Sequence, residues 1–250
     1  MLTTVEPRLD EMKSGEGRRI VIVRRPNDNF EKIPYVVHAL MEQWRKWGFN
    51  VEVISNTNAT VAPNTIVIPH VDATQTPTEY GRFFSRCAVV LNRSVTDISK
   101  RKISRNLLSK PIDYYGPVIV KTNLNCGGQP ELQHVFRKRR IGRAALVIAR
   151  RLPWELSGIV GTYKVFNHPK LVPWVAWRNP LLVVEKFQPE LRNGLYYLRQ
   201  YTFFGKQEIN TLLASKEPIV KAENVVKREV LAEPWPGIRE IRKELGFDYG

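Results

Sequence analysis

The residues best suited to chemistry lie between 116 and 131, in the stretch GPVIVKTNLNCGGQPE. Val118, Ile119 and Val120 form an apolar run that ends at Lys121, and the glycine pair Gly127 and Gly128 follows shortly after. A buried strand that delivers a fixed cation, followed by a loop lacking Cβ atoms, suits a phosphate group. The ammonium supplies positive charge, and the glycines let backbone N–H groups approach anionic oxygens closely. Each part also has an ordinary reading: a lysine at a strand end is commonly a solvated charge, and a glycine pair is commonly a turn. Their agreement at one point makes a phosphate site the expectation.

The charge distribution points the same way. The net charge is +15, and between Lys100 and Arg151 thirteen Lys or Arg face only Asp113 and Glu131, a net of +11. Such a concentration attracts phosphates, whether on a nucleotide, a nucleic acid or an anionic surface, although a solvated basic face without a partner has the same composition. Cys87 and Cys126 are the only cysteines and form no CxxC pair or cluster with histidine, so neither a disulfide framework nor a zinc site is expected. His38, His134 and His168 show no metal-ligand spacing, and no G-x-S-x-G nucleophile motif occurs. No stretch approaches the roughly 20 apolar residues that span a bilayer, and the polar N-terminus is unlike a secretory signal, so a cytoplasmic location without a membrane span is expected.

The elements that must position these residues are legible as patterns. RRIVIVRR reads as a central parallel strand. PYVVHALMEQWRKWG reads as a helix from Pro34 to Gly48, with Val37, Leu40, Met41, Trp44 and Trp47 at helical spacing. FNVEVIS, NTIVIP and CAVVLN read as further strands of an open parallel sheet. Asp97 or Thr96 is placed to cap a helix continuing through Ile103, Leu107 and Leu108, and residues 131–152 read as a cationic helix. Residues 158–180 read as a long loop with short extended pieces, LLVVEKF as a strand, residues 196–215 as a hairpin turning at Gly205-Lys206, and GIREIRKELG as a helix closed by Gly246.

The order of these parts resembles the ATP-grasp superfamily of ligases. A small α/β domain is followed by a lysine in DISK, a second lysine in VIVKT, the NCGG loop, the acidic hinge LVVEKFQPE and the arginine-bearing strand LRQYTFFG. D-Alanine:D-alanine ligase, glutathione synthetase and ribosomal-protein glutamate ligases belong to that superfamily. The resemblance implies an α/β fold in which an N-terminal open parallel sheet precedes a two-lobed α+β ATP-grasp domain. It places a flexible N-terminus at 1–17, the first domain at 18–95, the first lobe at 96–182 and the second lobe at 183–250. It also implies ATP as cosubstrate and activation of a carboxylate as an acyl phosphate, which an amine or thiol then attacks. The carboxylate belongs to a small molecule or a peptide.

Carried over residue by residue, the resemblance puts Lys100 and Lys121 on the ATP phosphates, with Lys102 or Arg105 as alternatives to Lys100 because only 21 positions separate 100 from 121. Asn125, Gly127 and Gly128 match the phosphate-covering flap. Glu185, Lys186 and Phe187 match the adenine edge, and Glu190 the ribose hydroxyls. Arg199 matches the arginine on the transferred phosphoryl group, with a salt bridge to Glu208 as its structural alternative. The family holds Mg2+ through an Asp and a later acidic-x-Asn pair; these ligands are not found before Gly250, so the second lobe is expected to be incomplete at its C-terminal end. Arg24, Arg25, His70 and Asp72 follow strands in the place where open α/β sheets bind ligands, and are candidate substrate contacts. The main alternatives are a nucleic-acid-binding protein using the patch at 100–151, which lacks the interleaved aromatics of single-strand binders, and a non-catalytic ATP-binding scaffold.

Overall fold

A computed structural model describes residues 17–26, 28–128, 131, 151–158 and 163–250. The expected flexible N-terminus and the expected cationic helix over 131–152 lie almost wholly outside the described residues. The chain divides into two compact units, Met1–Thr96 and Asp97–Gly250. Both helices and sheets are present, and one sheet is entirely parallel, so the fold class is α/β. Among the described residues no helix is long and apolar enough to cross a membrane.

The first unit contains β1 (Arg19–Arg24), α1 (Val36–Lys46), β2 (Asn50–Ile54), β3 (Thr65–His70), α2 (Thr78–Ser85) and β4 (Val89–Val90). Its strands lie in the order β2-β1-β3-β4. Ile20, Val21, Ile22 and Val23 of β1 are all buried, because a central parallel strand is covered on both faces. Alternation sends Val21, Val23 and Val67 to the face covered by Tyr80, Phe83 and Phe84 of α2. Tyr80, Phe83 and Phe84 recur at helical spacing after Pro77, a helix signal that the sequence reading overlooked. In α1, Val37, Met41 and Trp44 form the buried stripe.

The second unit holds two antiparallel sheets. One has the order β6-β5-β7, built from β5 (Val118–Thr122), β6 (Lys164–Phe166) and β7 (Leu182–Lys186). The other has the order β11-β10-β9-β8, built from β8 (Glu190–Arg192), β9 (Leu195–Phe204), β10 (Gln207–Ser215) and β11 (Val225–Leu231). The hairpin at Gly205-Lys206 joins β9 to β10, with Phe204 opposite Gln207. Short helices α3 (Lys100–Ile103), α4 (Trp154–Ser157) and α5 (Trp174–Arg178) accompany the first sheet, and α6 (Ile238–Leu245) ends at Gly246 in the left-handed conformation. Val118, Val120, Leu182 and Val184 form a core with Val172 and Ala176.

Two expectations need correction here. The helix expected to run through Leu107 and Leu108 ends at Ile103, because Ser104 turns the backbone extended. Leu107 then bridges Glu185 and the Leu108 amide bonds the Val184 carbonyl, so this segment lies along β7 as sheet. The strand at 182–186 pairs with β5 and so completes the first of the two antiparallel sheets. The region 158–180 carries helix α5, whose Ala176 is buried against β7, where only loop and extended pieces were expected.

Candidate functional site

Strand alternation assembles the lysine cluster. On β5 the even positions Val118 and Val120 face the core, which turns Lys121 to the opposite face. Antiparallel pairing sets Lys121 opposite Val183 and Ile119 opposite Glu185, so Lys121 and Glu185 are diagonal neighbours on one face. Their side chains meet at 2.7 Å, with Glu185 only 8% exposed and Lys121 25% exposed. The ring of Tyr163 covers Lys121, its centroid 5.5 Å from Nζ.

The second lysine arrives on α3. The Lys100 amide donates to the Asn123 carbonyl at 3.0 Å and the Arg101 amide to Asn123 Oδ1 at 2.9 Å, which docks the helix on the end of β5. Lys100 Nζ donates to the Leu124 carbonyl at the root of the glycine loop. Burial pushes the Lys100 ammonium below its ordinary pKa and the neighbouring charge of Lys121 pushes in the same direction, while Glu185, Cys126 and Glu131 oppose the shift. Lys121 is thus paired with a buried carboxylate, and Lys100 is bonded to a carbonyl within reach of the same charges. Of the alternatives to Lys100, Arg105 is committed to Glu244 at 2.6 Å and Lys102 is exposed.

Residues Asn125–Gly128 form a single tight turn in which Cys126, Gly127 and Gly128 all have positive φ, at 44°, 69° and 76°. Only glycine adopts this conformation without cost, and Gly128 also packs its backbone against Leu124, where a Cβ would lie 2.9 Å from Cδ1. Among the described residues nothing lies within 4 Å of a Cβ built on Gly127.

The hinge residues are tied to neighbouring segments of the chain. The Lys186 and Phe187 amides donate to the carbonyls of Asn106 and Pro117, each at 2.8 Å, and Lys186 Nζ lies over the Tyr114 ring. Glu190 accepts from Arg199 through two bonds of 2.9 and 3.0 Å and also pairs with Arg192. These hydrogen bonds from Arg199 hold the Glu190 carboxyl below the usual range. A salt bridge from Arg199 to Glu208 does not form: Arg199 lies opposite Leu212, four positions along β10 from Glu208, and Glu208 instead meets Tyr201 and Arg239.

No known family model matches the chain, and no curated protein matches it.

The substrate candidates of the first unit also converge. β1 connects to β2 on one side and β3 to β4 on the other, so the strand order reverses between β1 and β3, where Arg24 pairs with His70. Arg24 is held by Asp28 at 2.7 Å, Arg25 donates to the Asp72 carbonyl at 3.3 Å, and the Tyr35 hydroxyl meets Asp72 Oδ2 at 3.2 Å. Phe30 packs edge-on against His38 and His70, at 4.5 and 5.1 Å. Burial lowers the His70 pKa to about 4, so the ring is neutral at physiological pH. Asp28, Tyr35 and Tyr163 were not expected from the sequence; Asp28 meets Arg24 four positions away, whereas Tyr35 meets Asp72 only through the fold.

Proposed function

We propose that the chain is an ATP-dependent ligase of ATP-grasp type, which activates a carboxylate as an acyl phosphate for attack by an amine or thiol. The observation that carries this reading is the convergence of Lys100, Lys121 and the turn at Asn125–Gly128, with Lys121 paired to the buried Glu185 and Lys100 bonded to the Leu124 carbonyl beside it. Two lysines held in one place, beside backbone N–H groups in a left-handed turn, fit the phosphates of a nucleotide. The finer assignment, a pre-ATP-grasp sheet followed by two ATP-grasp lobes, rests on the same reading, supported by the order of a parallel sheet and two antiparallel sheets along the chain.

In this reading Lys121 and Lys100 orient the phosphates, and Gly127 lets the backbone approach them. Arg199 faces the transferred phosphoryl group: its contacts to Glu190 use Nε and Nη2, which leaves Nη1 outside that pair. Bound ATP supplies the phosphoryl group that makes the carboxylate electrophilic. The Mg2+ that the superfamily uses finds no fitting ligand set in this structure, since among the described residues no group of three or more His, Cys, Asp or Glu is placed to hold a metal ion. The switch point near Arg24, Arg25, His70 and Asp72 is the proposed place for the carboxylate substrate or its acceptor.

Thermal unfolding with Mg-ATP at low and moderate salt, in the wild-type chain and in Lys121→Ala, tests the proposal. Ligand at a hundred times its dissociation constant stabilises a fold by about 2.7 kcal/mol. A shift that survives moderate salt and disappears in Lys121→Ala is expected. A shift that salt abolishes and the variant retains would transfer the function to nucleic-acid or other polyanion binding by the basic patch.

A further inference from the structure

The lysine cluster already contains an anion. Glu185 is held by its backbone on both sides, paired with Ile119 of β5 and bridged to Leu107, and its side chain is almost fully buried. Lys121 reaches it on a flexible stem and is three times as exposed. When a phosphate approaches, the lysine is the partner that can turn away, whereas the carboxylate stays beneath the site with its charge in a low-dielectric setting.

We propose that Glu185 is the internal counter-anion of this site, a positioning residue that occupies Lys121 in the ligand-free chain and that any polyphosphate must outcompete. The proposal rests on the reading of this cluster as a phosphate site and departs from the adenine-edge role that the resemblance implies for Glu185. It assigns the residue two opposed effects. The carboxylate holds Lys121 in place and helps Lys100 keep its proton. It also repels the incoming anion, which weakens binding and makes the site selective for ligands of several negative charges over singly charged ones.

The experiment is calorimetric titration with tripolyphosphate and with ATP, for the wild-type chain, Glu185→Gln and Lys121→Ala, across pH 6 to 10. Glu185→Gln keeps the shape and removes the charge. It is expected to bind both ligands roughly tenfold more tightly at neutral pH, the scale of one partly screened charge repulsion. Lys121→Ala is expected to lose binding of both. On the alkaline side, the groups acting on Lys100 are Lys121, Glu185, Cys126 and Glu131. Without the Glu185 carboxylate, Lys100 deprotonates more readily, so affinity in Glu185→Gln should begin to fall at a lower pH than in wild type.

Unchanged affinity with only a lower melting temperature would reduce Glu185 to a structural ion pair and overturn the proposal. Weaker ATP binding with unchanged tripolyphosphate binding would also overturn it, by showing that Glu185 touches the nucleoside. Tightened tripolyphosphate binding with ATP no better than tripolyphosphate would uphold the counter-anion and sink the nucleotide reading. Failure of wild type and Glu185→Gln to bind either ligand would sink both. If Glu185→Gln does not fold, Glu185→Asp withdraws the carboxylate from Lys121 by one methylene. A smaller tightening is expected there, and no change would overturn the proposal.

Discussion

The two units treat buried charge in opposite ways. At the end of the first unit's parallel sheet, Arg24 is matched by Asp28 and His70 is kept neutral by burial, so the charges nearly cancel. In the second unit, Lys121 pairs with the buried Glu185, and Lys100 feels the charges of Lys121 and Glu185 in a half-buried place. The Glu190 network supplies the control, because Arg199 and Arg192 share one carboxylate there, but the Arg199 side chain is 36% exposed and water screens the surplus. Stoichiometry alone therefore does not mark a site; charge that solvent cannot screen does.

The largest effect that would sharpen this contrast concerns His70. Its folded pKa of about 4 lies below the ordinary 6.5, so the unfolded chain binds the proton more readily, and acid favours unfolding. Stability should decline as pH falls from 6.5 toward 4, by up to about 3 kcal/mol if the full shift is expressed. Urea midpoints across that range should slope in wild type and flatten in His70→Gln; equal slopes would mean that the ring is not held neutral.

Next in size is the comparison of the two ion pairs. Lys121→Ala leaves Glu185 buried and less compensated, and should cost about 2 kcal/mol in denaturant unfolding, below the full penalty for a wholly buried pair. Arg199→Ala breaks an exposed pair and should cost no more than about 1 kcal/mol. Equal losses would erase the distinction drawn between the two networks.

The smallest effects lie in the glycine turn. Gly128→Ala combines a left-handed φ with displacement of Leu124 and should lose about 1–2 kcal/mol, whereas Gly127→Ala meets only the backbone penalty of about 1 kcal/mol. A neutral Gly128→Ala would show that the turn relaxes, and with it the close packing on Leu124.

What the sequence made legible was local. The apolar runs of β1, β3, β5 and β7, the amphipathic stripe of α1 and the hairpin at Gly205-Lys206 are patterns within one segment, and all appear. So does the placement of Lys121 at the end of a buried strand. The partners were not legible, because they depend on register between distant segments. Glu185 meets Lys121 only through the β5–β7 pairing, 64 positions away, and Arg199 turned to Glu190 because the three-residue strand β8 lies beside β9. The segment at 104–108 failed as a helix for the same reason: Leu107 and Leu108 are helical in spacing, but pairing with β7 outweighs local propensity.

The double attachment of Lys100 has a kinetic consequence. Its amide is bonded to the carbonyl of Asn123 and its ammonium to the carbonyl of Leu124, so one residue fastens α3 to two successive links at the base of the turn. The ammonium cannot leave Leu124 to meet a ligand without loosening the root of the turn, and the turn cannot swing outward without pulling on α3. The turn and α3 should therefore loosen together, and a ligand held there would depend on that one opening.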